Sequence, residues 1–310
     1  MNRILFAAGG TAGHIEPAWA VSQIWQQRFP GDELAFLGTK SGLEVDLIPN
    51  RGGKLFLIPK VAAPRKLDLE LISFPFRILN SIFQTISIVR NFDLLVGFGG
   101  YVSASAYLAA FVLRKPIVIH EQNAKVGIAN RLGARFAKSV AVAYPSTAKE
   151  LKGAKVVGNP LRDSIVTAVL NAESDWQSAR QSAKERLQVS GPLTLVIGGS
   201  SGSKAINHVI SDGNFESCTV IHAVGKANEL PKGNDKYRPV PYIEDMATAL
   251  LAADLVISRS GAIAVTEFAA LGKYALFIPL PIGNGEQELN AKELVAAHKA
   301  ELISQREFTT

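Results

Sequence analysis

The chain has 310 residues, 47% of them hydrophobic and 19% charged, with one cysteine and a formal net charge of +6. That much apolar material excludes an extended disordered protein, and Cys218 alone excludes an internal disulfide framework. The cations are concentrated: residues 1–163 hold 20 Lys and Arg against 11 Asp and Glu, the remainder 13 against 16, so only the first half suits an anionic surface.

Met1 leads straight into a strand pattern with no signal-peptide layout, so a reducing cytoplasm is the expected setting. A strand over residues 3–8 runs into GGTAG at 9–13, and a helix is expected over 17–28. Further strands are expected at 33–37, 55–58, 94–97, 116–120 and 139–143. Residues 94–113 carry no charge, but Gly97, Gly99, Gly100, Ser103 and Ser105 make them a strand, a loop and a packed helix in place of a membrane span. Gly158-Asn159-Pro160 breaks the pattern and predicts domains over 1–160 and 161–310. A second strand series follows at 193–197, 219–223, 255–257 and 275–279. Strands alternating with helices imply parallel sheets, so the fold class is α/β with two doubly wound, Rossmann-like domains.

Each domain opens alike, with GGTAG at 9–13 and GGSSG at 198–202 between a strand and a helix. Such a turn lets backbone N–H groups approach an anion, although glycine also serves a tight turn with no ligand. Neither loop fits G-x-G-x-x-G or a P-loop. His14, at the start of the first helix, could take a proton from an attacking hydroxyl, bind a phosphate, or merely fix its loop. GFGGYVS at 97–103 and His120-Glu121-Gln122-Asn123 end further strands of the same half and should reach the same sheet edge. Ser258-Arg259-Ser260-Gly261-Ala262 ends a strand of the second half, and Glu267 in the next helix suits a ribose-binding acid or an ordinary helix residue. Gln287 and Asn290 lie in a later polar stretch.

In order, GGTAGHIEPAWA, VGFGGYVS, VIHEQNAKVGIANRL, VVGNPLR, GGSSGSKAIN and YIEDMATALLAADLVISRSGAIAVTEFAALGK span nearly the whole chain. Together they resemble the MurG family of glycosyltransferase family 28. These hexosyltransferases move GlcNAc from UDP-GlcNAc to an undecaprenyl-linked muramyl-pentapeptide in peptidoglycan synthesis. The resemblance implies a GT-B architecture, two Rossmann-like domains facing across a cleft, and inversion at the sugar carbon. It implies no cofactor and no metal, and the sequence has no Asp-x-Asp. On the donor it places Ser200 near the diphosphate, Ile243 at the uracil, and Ala262, Ile263, Ala264, Val265, Thr266 and Glu267 around diphosphate and ribose. Gln287 falls on the sugar, Arg162 on a further donor position, and Thr11, Ala12, Gly13 and Asn123 on the donor sugar from the first domain. His14 and Glu121 are the catalytic candidates.

Three departures stand out. The family's GGTGGH reads GGTAGH, so a positive φ at Ala12 would be strained. GGSQG reads GGSSG, and the usual Gln pair reads Glu286-Gln287. The family continues into C-terminal helices, whereas this sequence ends at Thr310.

Arg65-Lys66 precedes a helical pattern with Leu71, Ile72, Phe74, Phe76, Leu79, Ile82, Phe83 and Ile86 interleaved with Arg77 and Arg90. Phe111, Arg114, Lys115 and Lys138 could extend this patch. A helix of this kind either enters a bilayer interface beside anionic lipids or packs on the sheet with solvated cations. The resemblance favours peripheral attachment at the cytoplasmic face of the cell membrane, with other cell-wall synthesis proteins as further partners. Two other readings stay open: a different UDP-GlcNAc-using GT-B enzyme, such as a 2-epimerase or a soluble-acceptor transferase, and a catalytically impaired membrane-surface module. Nucleic acid is not an expected partner, because the basic segment interleaves aliphatic residues and not exposed stacking aromatics.

Overall fold

The computed structural model of the protein describes residues 1–61, 69–281 and 284–309, with the side chains of residues 69–75 outside that description. Successive residues of β1 (Arg3–Ala7) enter opposite apolar layers: Leu5 and Ala7 join one cluster, Ile4 and Phe6 another. A strand buried on both faces must be apolar throughout, the signature of a parallel sheet covered by helices. The chain divides into two units, Met1–Pro160 and Leu161–Thr310.

In the first unit β1 is followed by α1 (Ala12–Arg28), β2 (Glu33–Thr39), α2 (Glu44–Asn50), β3 (Leu55–Ile58), α3 (Leu69–Val89) and β4 (Leu94–Gly97). Next come α4 (Tyr101–Val112), β5 (Ile117–Glu121), α5 (Ile128–Gly133), β6 (Ser139–Val142), α6 (Pro145–Glu150) and β7 (Lys155–Val156). The strands are parallel in the order β3-β2-β1-β4-β5-β6-β7, so the order reverses between β1 and β4. Ligands in open α/β sheets bind beyond the carboxyl ends of the strands at such a reversal. GGTAG and GFGG leave the two strands that flank it.

The second unit opens with α7 (Asp163–Ala172) and α8 (Trp176–Arg186), then β8 (Leu193–Ile197), α9 (Lys204–Ser211), β9 (Thr219–Ala223) and β10 (Tyr237–Val240). α10 (Met246–Ala252), β11 (Leu255–Ser258), α11 (Ala262–Ala270), β12 (Ala275–Phe277), α12 (Glu286–Ala296) and β13 (Ala300–Leu302) complete it. The parallel order β10-β9-β8-β11-β12-β13 reverses between β8 and β11, flanked by GGSSG and Ser258-Arg259-Ser260.

The uncharged stretch 94–113 forms β4, a loop and α4, and among the described residues no helix is long and apolar enough to cross a membrane. The largest boundary difference from expectation is at α1; β2 runs on to Thr39 and β12 stops at Phe277. α1 starts at Ala12, not Pro17, and Pro17 lies inside the helix, where it has no N–H to give the Gly13 carbonyl.

Candidate functional site

The first glycine loop is built around a buried carboxylate. Glu44 has no exposed surface, and its oxygens accept the Gly10 N–H at 2.8 Å, the Thr39 N–H at 2.7 Å and the Thr39 hydroxyl at 2.9 Å. A Cβ at Gly9, Gly38 or Gly42 would lie 2.6, 2.4 or 2.0 Å from Glu44 atoms, so three glycines leave its room. Gly10 takes the left-handed conformation at φ +91°. The strain expected at Ala12 does not arise, because Ala12 is the first residue of α1 and has no positive φ.

His14 stands half-buried in the first turn of α1, its Nδ1 3.1 Å from the Thr11 hydroxyl. Its imidazole lies against the GFGG backbone: a Cβ at Gly99 would be 3.3 Å from Cδ2 and Nε2. Gly99 and Gly100 both have positive φ, +92° and +82°, which only glycine adopts without strain. Burial lowers the pKa of His14, while the charges of Glu121 and Glu44 pull it partly back. The imidazole is therefore neutral near pH 7 and able to accept a proton.

Glu121 is also buried, and its carboxylate is occupied. Oε1 accepts the Asn123 N–H at 3.0 Å and its side-chain amide at 3.2 Å; Oε2 accepts the Gly127 N–H and the Asn130 amide, both at 2.9 Å. Asn130 also accepts the Tyr107 hydroxyl at 2.7 Å, and its Nδ2 would meet a Cβ at Gly99 at 3.2 Å. His14, Gly99, Asn130 and Glu121 thus form one contiguous cluster. The Tyr107 side chain fits because a Cβ at Gly97 would fall 2.1 Å from its hydroxyl oxygen and one at Gly133 2.3 Å from its ring. Thr11 and Gly13 are exposed, and Ala12 and Asn123 half-buried, at the same edge. His120 and Gln122 turn the other way. His120 Nδ1 accepts the Gln122 amide at 3.2 Å, which assigns the ring hydrogen to Nε2, donated to the Gly158 carbonyl at 2.8 Å. The Asn159 amide donates to the Gln122 carbonyl at 3.2 Å, so these residues hold the chain's break point.

In the second unit GGSSG turns on Gly199 at φ +96° and Gly202 at φ +73°. A Cβ at Gly202 would be 1.9 Å from the Val224 carbonyl, so the loop crosses the next strand's exit at backbone contact. Ser200 is exposed at its tip. Ser203 caps α9, its hydroxyl accepting the Ile206 N–H. α11 has only Gly261 at its N-cap and no side-chain cap, so its first N–H groups point at the same edge unused by a cap. Ala262, Ile263 and Val265 are buried, Ala264 and Thr266 half-buried. Glu267 is 4% exposed and holds Arg162 through a bidentate pair, Nε to Oε1 at 2.7 Å and Nη2 to Oε2 at 2.6 Å. Ile243, 9% exposed, belongs to the apolar core. Gln287 accepts the Leu280 N–H at 3.0 Å, and Asn290 donates to the Ser260 carbonyl at 3.2 Å.

Away from these loops, α3 packs Ile86, Ile88 and Val89 on the core, yet along the preceding turns it buries hydroxyl side chains and exposes large apolar ones. Ser81 and Thr85 are buried, with Ser81 hydrogen-bonded to Ser105 of α4 at 3.0 Å. Phe76, Leu79 and Phe83 are 72, 52 and 69% exposed. Phe111 is 53% exposed with its ring against Phe136, and Lys138 is exposed. Arg65 and Lys66, and the side chains of Leu71, Ile72 and Phe74, lie outside the described residues.

The glycosyltransferase family 28 N-terminal domain matches residues 4–142, and the family's C-terminal domain residues 193–310. A Corynebacterium diphtheriae relative, "UDP-N-acetylglucosamine--N-acetylmuramyl-(pentapeptide) pyrophosphoryl-undecaprenol N-acetylglucosamine transferase", is 42% identical over 316 residues, covering 99% of this chain and 84% of its own. A Rhodococcus erythropolis relative of the same name is 44% identical over 327 residues, covering 99% and 82%. The crystal structure of Acinetobacter baumannii MurG matches with a TM-score of 0.72 at 31% identity, over 99% of this chain and 86% of that one. On that identity and coverage, the chain belongs to the MurG family of glycosyltransferase family 28 and carries its two-domain GT-B fold.

Proposed function

We propose that the chain moves GlcNAc from UDP-GlcNAc to the C4 hydroxyl of undecaprenyl-pyrophosphoryl-MurNAc-pentapeptide, converting lipid I to lipid II. The observation that carries this reading is the half-buried imidazole of His14 held against the Gly99 backbone at a sheet's carboxyl edge, in a chain whose relatives are named for this transfer. In this reading His14 takes the hydroxyl proton as the C4 oxygen bonds to the anomeric carbon. The bond from that carbon to the UDP oxygen breaks with inversion, and its electron pair leaves on the β-phosphate. Unused N–H groups of α11 and the GGSSG loop meet the growing charge.

Ser200 and residues 262–267 then hold the diphosphate and ribose, Ile243 borders the uracil, and Gln287 and Asn123 address the sugar with Thr11, Ala12 and Gly13. Arg162 orients Glu267. Glu121 takes a positioning role, because its two oxygens already accept four N–H bonds and it is poorly placed to take a fifth proton from substrate. Its charge also supports the imidazolium that His14 becomes.

The exposed apolar side chains of α3 support attachment to the cytoplasmic leaflet, where a lipid-linked acceptor would lie. Burying serine and threonine while exposing phenylalanine costs stability in water and is favourable once a bilayer interface covers the aromatics. Phe76, Leu79, Phe83 and Phe111 would enter the interface, with Lys138 at the headgroups. Transfer of labelled GlcNAc from UDP-GlcNAc to a short-chain lipid-linked muramyl acceptor tests the reading. Formation of an epimerised nucleotide sugar with no lipid-linked disaccharide would replace it with a 2-epimerase.

A further inference from the structure

Two loops of one sequence type, GGTAG and GGSSG, sit over buried charges of opposite sign. Beneath the first is Glu44, whose carboxylate occupies the Gly10 N–H. Beneath the second is Arg259, 8% exposed at the carboxyl end of β11. Its Nη1 donates to the Ile278 and Pro279 carbonyls at 2.9 and 3.0 Å, and its Nη2 to the Ser203 hydroxyl at 2.7 Å and Gln305 at 2.6 Å. Every one of these partners is neutral. Arg259 joins none of the ion pairs among the described residues, and burial alone is what shifts its pKa, downwards.

A buried cation normally has a counter-ion, because desolvation otherwise goes uncompensated. Here the hydroxyl it binds is the N-cap of α9, immediately after the glycine loop, and Gly198 packs on Ser203 so closely that a Cβ would be 2.5 Å from its backbone nitrogen. Gly261, the N-cap of α11 with no side-chain cap to offer, follows two residues after Arg259. Fixed positive charge, loop and helix N-terminus therefore share one edge of β8 and β11.

We infer that Arg259 is a positioning residue of the donor site, and that its unneutralised charge makes the second loop selective for a diphosphate. It acts through Ser203 and through its field, which a low-dielectric interior screens weakly. The first loop, neutralised by Glu44, lacks that selectivity and is left to the donor sugar and the base. This inference rests on the UDP-GlcNAc reading above.

The experiment measures uridine, UMP and UDP affinities by calorimetry for the wild type, Arg259→Lys, Arg259→Gln and Arg259→Met. In the neutral variants the UDP-to-uridine affinity ratio should fall about tenfold or more, with uridine itself changed by less than about twofold, while Arg259→Lys keeps the ratio within about threefold. Equal losses for all three ligands, in the lysine variant as well, would reduce Arg259 to a structural role. Should the neutral variants fail to fold, the wild type still decides. A buried charge predicts a ratio that changes less than about threefold between 0.05 and 0.5 M salt, whereas collapse of the ratio would assign the selectivity to surface lysines. A wild type that binds UDP no better than uridine overturns the inference alone; one that binds no uridine compound overturns the donor reading first.

Discussion

The carboxylate of Glu44 accepts the backbone N–H of Gly10 at 2.8 Å, which ties the first glycine loop to the start of α2. The same carboxylate holds Thr39 through two further bonds, so the exits of β1 and β2 share one buried anion. Glu44→Gln converts one oxygen into an NH2 group that must face a donor, either Gly10 or Thr39. The expected loss is roughly 2–4 kcal/mol of stability in the first unit, from one broken charged hydrogen bond and one donor left unsatisfied. Denaturant unfolding followed by Trp19 and Trp25 fluorescence, in a Trp176→Phe background, reads it. An unchanged midpoint would mean that the loop stands without the carboxylate.

Three histidines make stability and turnover depend on pH with one sign. Burial lowers the pKa of His14 and His120, and that of His222 to about 4, with His222 fully buried between Tyr237 and Asn207. The unfolded chain binds these protons at higher pH than the folded one. Stability is therefore fully present above pH 6.5 and declines as pH falls from 6.5 towards the folded values, with His222 alone accounting for about 3 kcal/mol by pH 4. Turnover should rise through an apparent pKa below 6.5 and be level at pH 7. His14→Ala should cut turnover at least about a hundredfold, leave UDP affinity within about threefold and abolish the acid limb. An acid limb that survives in His14→Ala would remove His14 from the proton transfer.

The interior strands were legible because each is an apolar run closed by glycine or a polar turn. β7, β10 and β13 were not: each lies at a sheet edge, and Lys155-Val156, Tyr237–Val240 with its Pro239, and Ala300–Leu302 are short or polar. Edge strands tolerate proline and charge because one side needs no partner. The start of α1 was misplaced because Pro17 resembles a first-turn proline. Of the candidate site, His14 and Glu267 stood out by position after glycine-containing turns, and Glu121 by its place in a polar run that follows an apolar strand. Glu44 did not, since its role depends on Gly9 in a loop, Gly38 in β2 and Gly42 in a turn, and alone it reads as an ordinary first-turn acid. Arg259 was visible as a letter in a motif, but that it has no counter-ion among the described residues shows only in three dimensions.

The exposed aromatics of α3 carry a prediction of their own. Phe76 and Phe83 are both more than two-thirds exposed and make no ring contact among the described residues. Replacing both with serine should weaken partition onto vesicles rich in anionic lipid by at least about tenfold, since each ring contributes on the order of 1 kcal/mol or more when an interface covers it. Stability should hold or rise, and UDP affinity should not change. Equal vesicle binding by the double variant would assign membrane contact, if any, to another face.

Glu267 and Arg162 make the last case. The bidentate pair holds each carboxylate oxygen to one guanidinium nitrogen, Oε1 to Nε at 2.7 Å and Oε2 to Nη2 at 2.6 Å. The ribose reading of Glu267 requires the same carboxylate to accept two vicinal hydroxyls, which a carboxylate oxygen can do beside a guanidinium because it accepts more than one hydrogen bond. Glu267→Gln keeps the size but removes the charge and turns one acceptor into a donor that faces Arg162. Wild-type protein should prefer UDP to 2′-deoxy-UDP by roughly tenfold, the scale of one charged hydrogen bond, and Glu267→Gln should lose most of that preference. Arg162→Ala should weaken both nucleotides together, because it frees the carboxylate without removing it. If Glu267→Gln weakens the two nucleotides by the same factor, the carboxylate does no more than anchor Arg162, and the ribose must be held elsewhere.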